Sequence, residues 1–132
     1  MDVNITKKKV LIVEDEQYMR DLYLELLKGE GYEADSAADG DEAYQKISSN
    51  HYDLILLDLV MPKRSGISVV EQLKEDNKQT QILPNIVILT NLGQDSVIAH
   101  AVSLGVRGYI IKSEVTPDKI LSEVKNYLAE KK

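Results

Sequence analysis

Three short runs of apolar residues in this chain carry no polar/apolar alternation: Val10-Leu11-Ile12-Val13, Leu54-Ile55-Leu56-Leu57 and Ile86-Val87-Ile88-Leu89. A strand reads this way when both of its faces are covered, which is the condition of a parallel sheet with helices on either side. Each run stops abruptly on polar residues: Glu14-Asp15 after the first, Asp58 after the second, Thr90-Asn91 after the third. A further strand, Val106 to Ile111, stops on Lys112. Tyr32 to Ala37 is a weaker candidate, broken by Glu33 and Asp35, and suits an edge position. Met61-Pro62 follows Asp58 closely, and the proline stops the strand because it has no N–H to offer the ladder.

Between the strands the apolar spacing changes to the three- and four-residue steps of a helix. Met19, Leu22, Tyr23, Leu26 and Leu27 form the first such stripe, punctuated by Gly29 and Gly31. Asp39-Gly40-Asp41-Glu42 opens a second helix with Ala43, Tyr44 and Ile47 inward. A third should run from Ser65 or Gly66 to Glu75 on Ile67, Val70 and Leu73, and a fourth carries Val97, Ile98, Ala101, Val102 and Leu104 up to Gly105. Thr116-Pro117 starts the fifth, with threonine as cap and proline at the first helical position; its stripe is Ile120, Val124, Tyr127 and Leu128. Alternating strands and helices with short connections imply right-handed crossovers and a parallel sheet. The expected fold is therefore α/β, a flavodoxin-like doubly wound five-stranded sheet, (βα)5, in strand order 2-1-3-4-5. At 132 residues the chain is expected to be a single domain with its core over about residues 9–128.

Composition removes several functions. There is no cysteine, hence no disulfide framework and no thiolate metal site. No apolar run approaches the roughly 20 residues of a membrane span, and no signal-peptide core stands at the N-terminus. A cytoplasmic protein is the expectation. A net charge of −6 argues against nucleic-acid binding, and Lys7-Lys8-Lys9 reads as a solvated lead-in to the first strand. His51 and His100 belong to no strand end and read as surface residues.

In a parallel sheet the C-terminal strand ends share one edge, so residues distant in sequence meet there. Glu14, Asp15, Asp58, Thr90 and Lys112 would converge on one cleft. Any one of these acids alone could simply cap a strand; the set at the matching ends is harder to dismiss. Close carboxylates repel one another and need a neutralising cation. Oxygen ligands without His or Cys suit a hard cation, and Mg²⁺ fits best. A cation, a lysine and a hydroxyl around a carboxylate nucleophile make a phosphoryl-transfer site, with Asp58 as the reactive residue.

With those residues in hand, the chain resembles a response-regulator receiver domain of two-component signalling over nearly its whole length. The motifs are Val13-Glu14-Asp15-Glu16, Asp58-Leu59-Val60-Met61-Pro62 with Gly66 beyond, Thr90, Tyr109 and Lys112. The resemblance implies that Asp58 takes a phosphoryl group from a sensor histidine kinase or a histidine phosphotransfer protein. It implies Mg²⁺ on Asp15, Asp58 and the Val60 carbonyl, with Glu14 acting mainly through water, and Lys112 on the phosphoryl oxygens. Thr90 would swing toward the phosphate and Tyr109 would turn inward, remodelling a surface of the fourth helix, fifth strand and fifth helix for an unknown downstream protein or a dimer partner. Such a domain is a phosphoryl acceptor rather than an enzyme on other substrates. It would be a monomer, or a dimer through that surface, standing alone or forming part of a longer regulator. With no DNA-binding helix in the sequence, its output is expected through a docking partner.

Three positions depart from the family pattern. Ser113 follows the lysine where receivers usually place a proline after a cis bond, so a trans bond or a strained loop is expected. Asn91 stands where a small residue is usual, and Pro84-Asn85 lengthens the approach to the fourth strand. Asn91, Val60 and Leu92 are expected to tune phosphoryl lifetime; apolar Val60 and Leu92 would not orient a water, which predicts a persistent phosphoryl group. A haloacid-dehalogenase phosphatase would need an acid at position 60, and a flavin binder would need a phosphate loop where Glu14-Asp15-Glu16 stands. The serious alternative is a receiver-like protein-interaction module that works without phosphorylation.

Overall fold

The computed structural model describes residues 7–91 and 93–129. Its elements alternate throughout: β1 (Lys9–Val13), α1 (Gln17–Gly29), β2 (Glu33–Ala37), α2 (Gly40–Ser49), β3 (Leu54–Leu57), α3 (Gly66–Asp76), β4 (Ile86–Thr90), α4 (Asp95–Leu104), β5 (Gly108–Ile111) and α5 (Pro117–Ala129). All pairings are parallel and the order is β2-β1-β3-β4-β5, so the expected topology is the observed one.

The missing alternation has its cause in the two helical layers. Successive residues of β1 point to opposite sides: Leu11 and Val13 pack with Ala43 and Ile47 of α2, Val70 and Leu73 of α3 and Ile98 of α4. Val10 and Ile12 pack with Tyr23 and Leu27 of α1 and with Ile120 and Val124 of α5. Each such aliphatic side chain, taken fully out of water, contributes about 1.5–3 kcal/mol. β2 lies at the sheet edge with only Ala37 buried, which is why Glu33 and Asp35 are tolerated there.

The helix ends follow local chemistry. The Asp39 carboxylate accepts from the Glu42 N–H at 2.8 Å while the Glu42 carboxylate accepts from the Ala38 N–H at 2.8 Å, a reciprocal cap of the capping-box type. The Ser65 hydroxyl accepts from the Ser68 N–H at 3.3 Å and starts α3. Gly105, at φ 114°, ends α4 in the left-handed conformation that glycine adopts freely. Boundaries at β1, β2, α3 and β4 differ from the sequence expectation by one residue; the larger difference is that β5 begins at Gly108, not Val106. The Val106 N–H still bonds back to the Ala101 carbonyl at 3.4 Å, so residue 106 closes the turn from α4 before the strand begins. Among the described residues no helix is long and apolar enough to cross a membrane.

Candidate functional site

The ladder between β1, β2 and β3 continues one residue past the strands and fixes two acids side by side. The Glu14 N–H donates to the Ala37 carbonyl at 3.1 Å, and the Asp58 N–H donates to the Val13 carbonyl at 3.2 Å. Glu14 is 1% exposed and Asp58 4%, whereas Asp15 is open to solvent. Gly66 then presses α3 against the Asp58 backbone: its N–H donates to the Leu59 carbonyl at 2.9 Å, leaving no space for a side chain. From the far side of the sheet, the Lys112 ammonium donates to Glu14 Oε1 at 2.9 Å and to Asp58 Oδ2 at 3.1 Å.

Burial raises the pKa of both Glu14 and Asp58 against the opposing pull of Lys112. For Lys112, burial works against the charge, but the Glu14 and Asp58 carboxylates outweigh it and the ammonium is held above its ordinary value. The Val60 N–H donates to Asp58 Oδ1 at 3.2 Å and the Glu16 N–H to Glu14 Oε2 at 3.1 Å, which fixes the carboxylate orientations. One oxygen from each of Glu14, Asp15 and Asp58 lies within 4.8 Å of the others, an all-oxygen donor set that fits a hard divalent cation.

The acids open into a cleft of about 410 Å³ that also includes Val60, Thr90, Asn91 and Lys112. Every site residue expected from the sequence lies here except Tyr109. Thr90 is 1% exposed at the end of β4, and Val60 is 59% exposed on the rim. Tyr109 lies outside the cleft, 52% exposed, over a hollow of about 540 Å³ floored by Ile98, Val102 and Ile111. The Lys112–Ser113 bond is trans, like every peptide bond among the described residues, and Lys112–Glu114 forms a single 3-10 turn. Leu92 lies outside the described residues. His51 is solvent-exposed near Asp53, and His100 pairs with Glu71 at 2.9 Å, tying α4 to α3.

Two contributors, Arg20 and Gln94, are absent from the sequence reading, and a third, Glu16, enters it only as part of a motif. Arg20, on the first turns of α1, donates to the Glu14 and Asp15 carbonyls at 2.9 and 3.2 Å and so holds the acidic loop from behind. Glu16 and Gln94 line the cleft itself. The only sequence signal for all three is their closeness to a strand end. On the α1 and α5 side a second cavity, about 260 Å³, lies beside Tyr23, Lys112 and Ser113.

Comparison with known proteins agrees with this geometry. The family model for the response regulator receiver domain matches residues 10–125. The chemotaxis protein CheY of Halobacterium salinarum is 37% identical over 105 residues, covering 80% of this chain and 84% of its own. The transcriptional regulatory protein DltR of Streptococcus agalactiae is 35% identical over 117 residues, covering 89% of this chain; the chain spans about half (50%) of that relative's length. Among solved structures, a CheY-like receiver domain protein from Methanospirillum hungatei superposes with a TM-score of 0.81 at 26% identity, over 93% of this chain and 94% of its own. The response regulator TrrA of Thermotoga maritima, solved in complex with Mg(2+)-BeF, gives a TM-score of 0.75 at 34% identity, over 91% and 98% of the two chains. A family match across nearly the whole described sheet, on a cleft built from the same strand ends, makes this chain a response-regulator receiver domain.

Proposed function

We propose that Asp58 is the acceptor of a phosphoryl group delivered by a phosphohistidine of a sensor histidine kinase or phosphotransfer protein in the cytoplasm. The observation that carries this reading is the Lys112 ammonium held between two buried carboxylates, one of them at the centre of the cleft. In the transfer, an Asp58 carboxylate oxygen attacks phosphorus, the P–N bond breaks, and its electron pair leaves with the donor imidazole. Burial leaves that oxygen poorly solvated and aimed by the Val60 N–H. Glu14, Asp15, Asp58 and the Val60 carbonyl are the groups that would hold Mg²⁺, Glu14 through water. When bound, the cation offsets the charge of the acids and of the phosphoryl oxygens. Lys112 releases Asp58 and donates to the phosphoryl oxygens instead.

The acyl phosphate carries about −1.5 to −2 charges where the free carboxylate carried one, and it brings strong acceptor oxygens to one point. Thr90, buried beside the cleft, moves its hydroxyl toward them. The hollow beneath Tyr109 has room for the phenol ring to turn inward, which changes the α4–β5–α5 surface offered to a downstream protein or a second copy. Asn91 sits at the cleft mouth, where its amide can reach the phosphoryl group. The domain is thus a phosphoryl acceptor taking part in its own modification.

Incubation with a small phosphodonor and Mg²⁺, followed by intact mass measurement, tests the assignment. Wild type should gain one phosphoryl group and Asp58→Ala none. An Asp58→Ala protein that gains the same mass would place the acceptor elsewhere, and a wild type that gains nothing would favour a phosphorylation-independent module.

A further inference from the structure

Loss of the phosphoryl group requires a water held in line with the Asp58–phosphorus bond. Resting on the reading of Asp58 as acceptor, we infer that the side-chain amide of Gln94 holds that water and is a catalytic residue of the hydrolysis.

The cleft leaves few groups for the task. Glu14, Asp15 and Asp58 form the cation cluster, and Lys112 and Thr90 are the donors for the phosphoryl oxygens. Val60 is exposed on the rim but apolar, so it makes no hydrogen bond to water. The Glu16 carboxylate is anionic and is repelled by a phosphoryl dianion. Two amides remain, those of Asn91 and Gln94.

They differ in placement. Asn91 is exposed and lies where the cleft meets the neighbouring cavity beside Tyr23 and Ser113. Gln94 lines only the cleft, is half-buried, and has its backbone fixed at the start of α4, its carbonyl accepting from the Ile98 N–H at 2.9 Å. Short polar side chains in this capping position turn back to bond the helix N–H groups, whereas the longer glutamine is free to extend away from them. Gln94 makes no such bond, and its amide has no hydrogen-bond partner among the described residues. A half-buried amide at the reaction cleft with nothing to bind is a group available to a water.

The step balances simply. The Gln94 amide oxygen accepts from the water and aims its lone pair at phosphorus. The new P–O bond forms as the bond to Asp58 breaks, and the electron pair returns to the Asp58 carboxylate. The water oxygen keeps one hydrogen and its other proton passes to a phosphoryl oxygen, so dihydrogen phosphate leaves. On this inference the expectation of a persistent phosphoryl group drawn from Val60 and Leu92 changes: a polar group absent from those two positions is supplied by the residue that precedes α4.

The test loads wild type, Gln94→Ala and Asn91→Ala with a small phosphodonor and Mg²⁺, removes the donor, and follows the phosphoryl mass with time. Gln94→Ala should lose the phosphoryl group about five- to tenfold more slowly than wild type, the range of one hydrogen bond made chiefly in the transition state. Its loading rate and Tm should stay near those of wild type, which separates this role from a structural one at the start of α4. Equal decay of Gln94→Ala and wild type overturns the inference while leaving Asp58 as acceptor. So does slowing confined to Asn91→Ala, or slowing accompanied by an equal fall in loading. A wild type that never gains the mass fails the acceptor reading itself.

Discussion

Replacing Gly66 by alanine probes the place where the backbone of α3 presses directly on that of Asp58. A Cβ at position 66 would lie 2.1 Å from the Asp58 carbonyl oxygen, 2.9 Å from Leu59 Cα and 3.0 Å from the Asp58 carbonyl carbon. Favourable contact between such atoms begins near ~3.5 Å, so the backbone of the site must retreat by more than about 1 Å. Overpacking of a closed interior costs about 1–3 kcal/mol, and here no flexible side chain can give way. Misaligning the Gly66 N–H bond to Leu59 adds about 1 kcal/mol. A loss of about 2–4 kcal/mol follows, a large part of the roughly 5–15 kcal/mol that holds a domain folded. Gly29→Ala is the matched control: nothing lies within 4 Å of its Cβ position and its φ is not positive, so alanine should stabilise by about 0.5–1 kcal/mol. Urea unfolding of both variants measures the two effects at matched m-values. A Gly66→Ala midpoint corresponding to less than about 1 kcal/mol of destabilisation would refute the argument that the Asp58 backbone is wedged.

Two further outcomes follow from the acids. Mg²⁺ should raise the Tm of wild type, by the equivalent of about 1.4 kcal/mol at tenfold excess over its Kd, and far less for Asp15→Asn; equal shifts, read by differential scanning fluorimetry, would remove Asp15 from the cation site. Asp35 is partly buried, which works to raise its pKa, but bonds from the Tyr52 hydroxyl at 2.9 Å and the Lys46 ammonium at 3.1 Å hold it below the ordinary value. A depressed carboxylate contributes stability that is present above its unfolded pKa and lost as pH falls through its folded one, so the loss lies in acid below about pH 4. Asp35→Asn should show a shallower acid limb in a stability–pH curve, and an unchanged limb would count against the network.

The sheet and the convergence of polar residues at its edge are legible in the sequence because they rest on short-range chemistry. Unalternating runs at Val10–Val13, Leu54–Leu57 and Ile86–Leu89 have one explanation in a soluble-type composition, and a proline at 62 marks where β3 must end. Once a parallel sheet is inferred, Glu14, Asp58, Thr90 and Lys112 meet by topology alone. The places of Arg20 and Gln94 in the site are not legible, because whether a residue at the start of a helix faces a strand end depends on how that helix crosses the sheet. The start of β5 was misjudged for a related reason: Val106 is as apolar and buried as a strand residue, but its N–H is taken by α4. Tyr109 belongs to the last strand as expected, but its exposed position beside the hollow near α4 is encoded by no local pattern.

The reach of Lys112 has a consequence for how the chain folds. Its two carboxylate partners stand 98 and 54 residues earlier in the sequence, so neither acid gains its counter-charge until the last strand has docked. Contacts this non-local form late, after the entropy of closing long loops has been met. A chain lacking β5 would bury two carboxylates without a partner, an arrangement unfavourable enough to keep that edge of the sheet open to water. The ammonium proposed to grip a phosphoryl group therefore also completes the environment of Asp58 during folding. A chain whose final strand has not docked therefore lacks the Glu14–Lys112–Asp58 arrangement on which the proposed phosphoryl transfer depends.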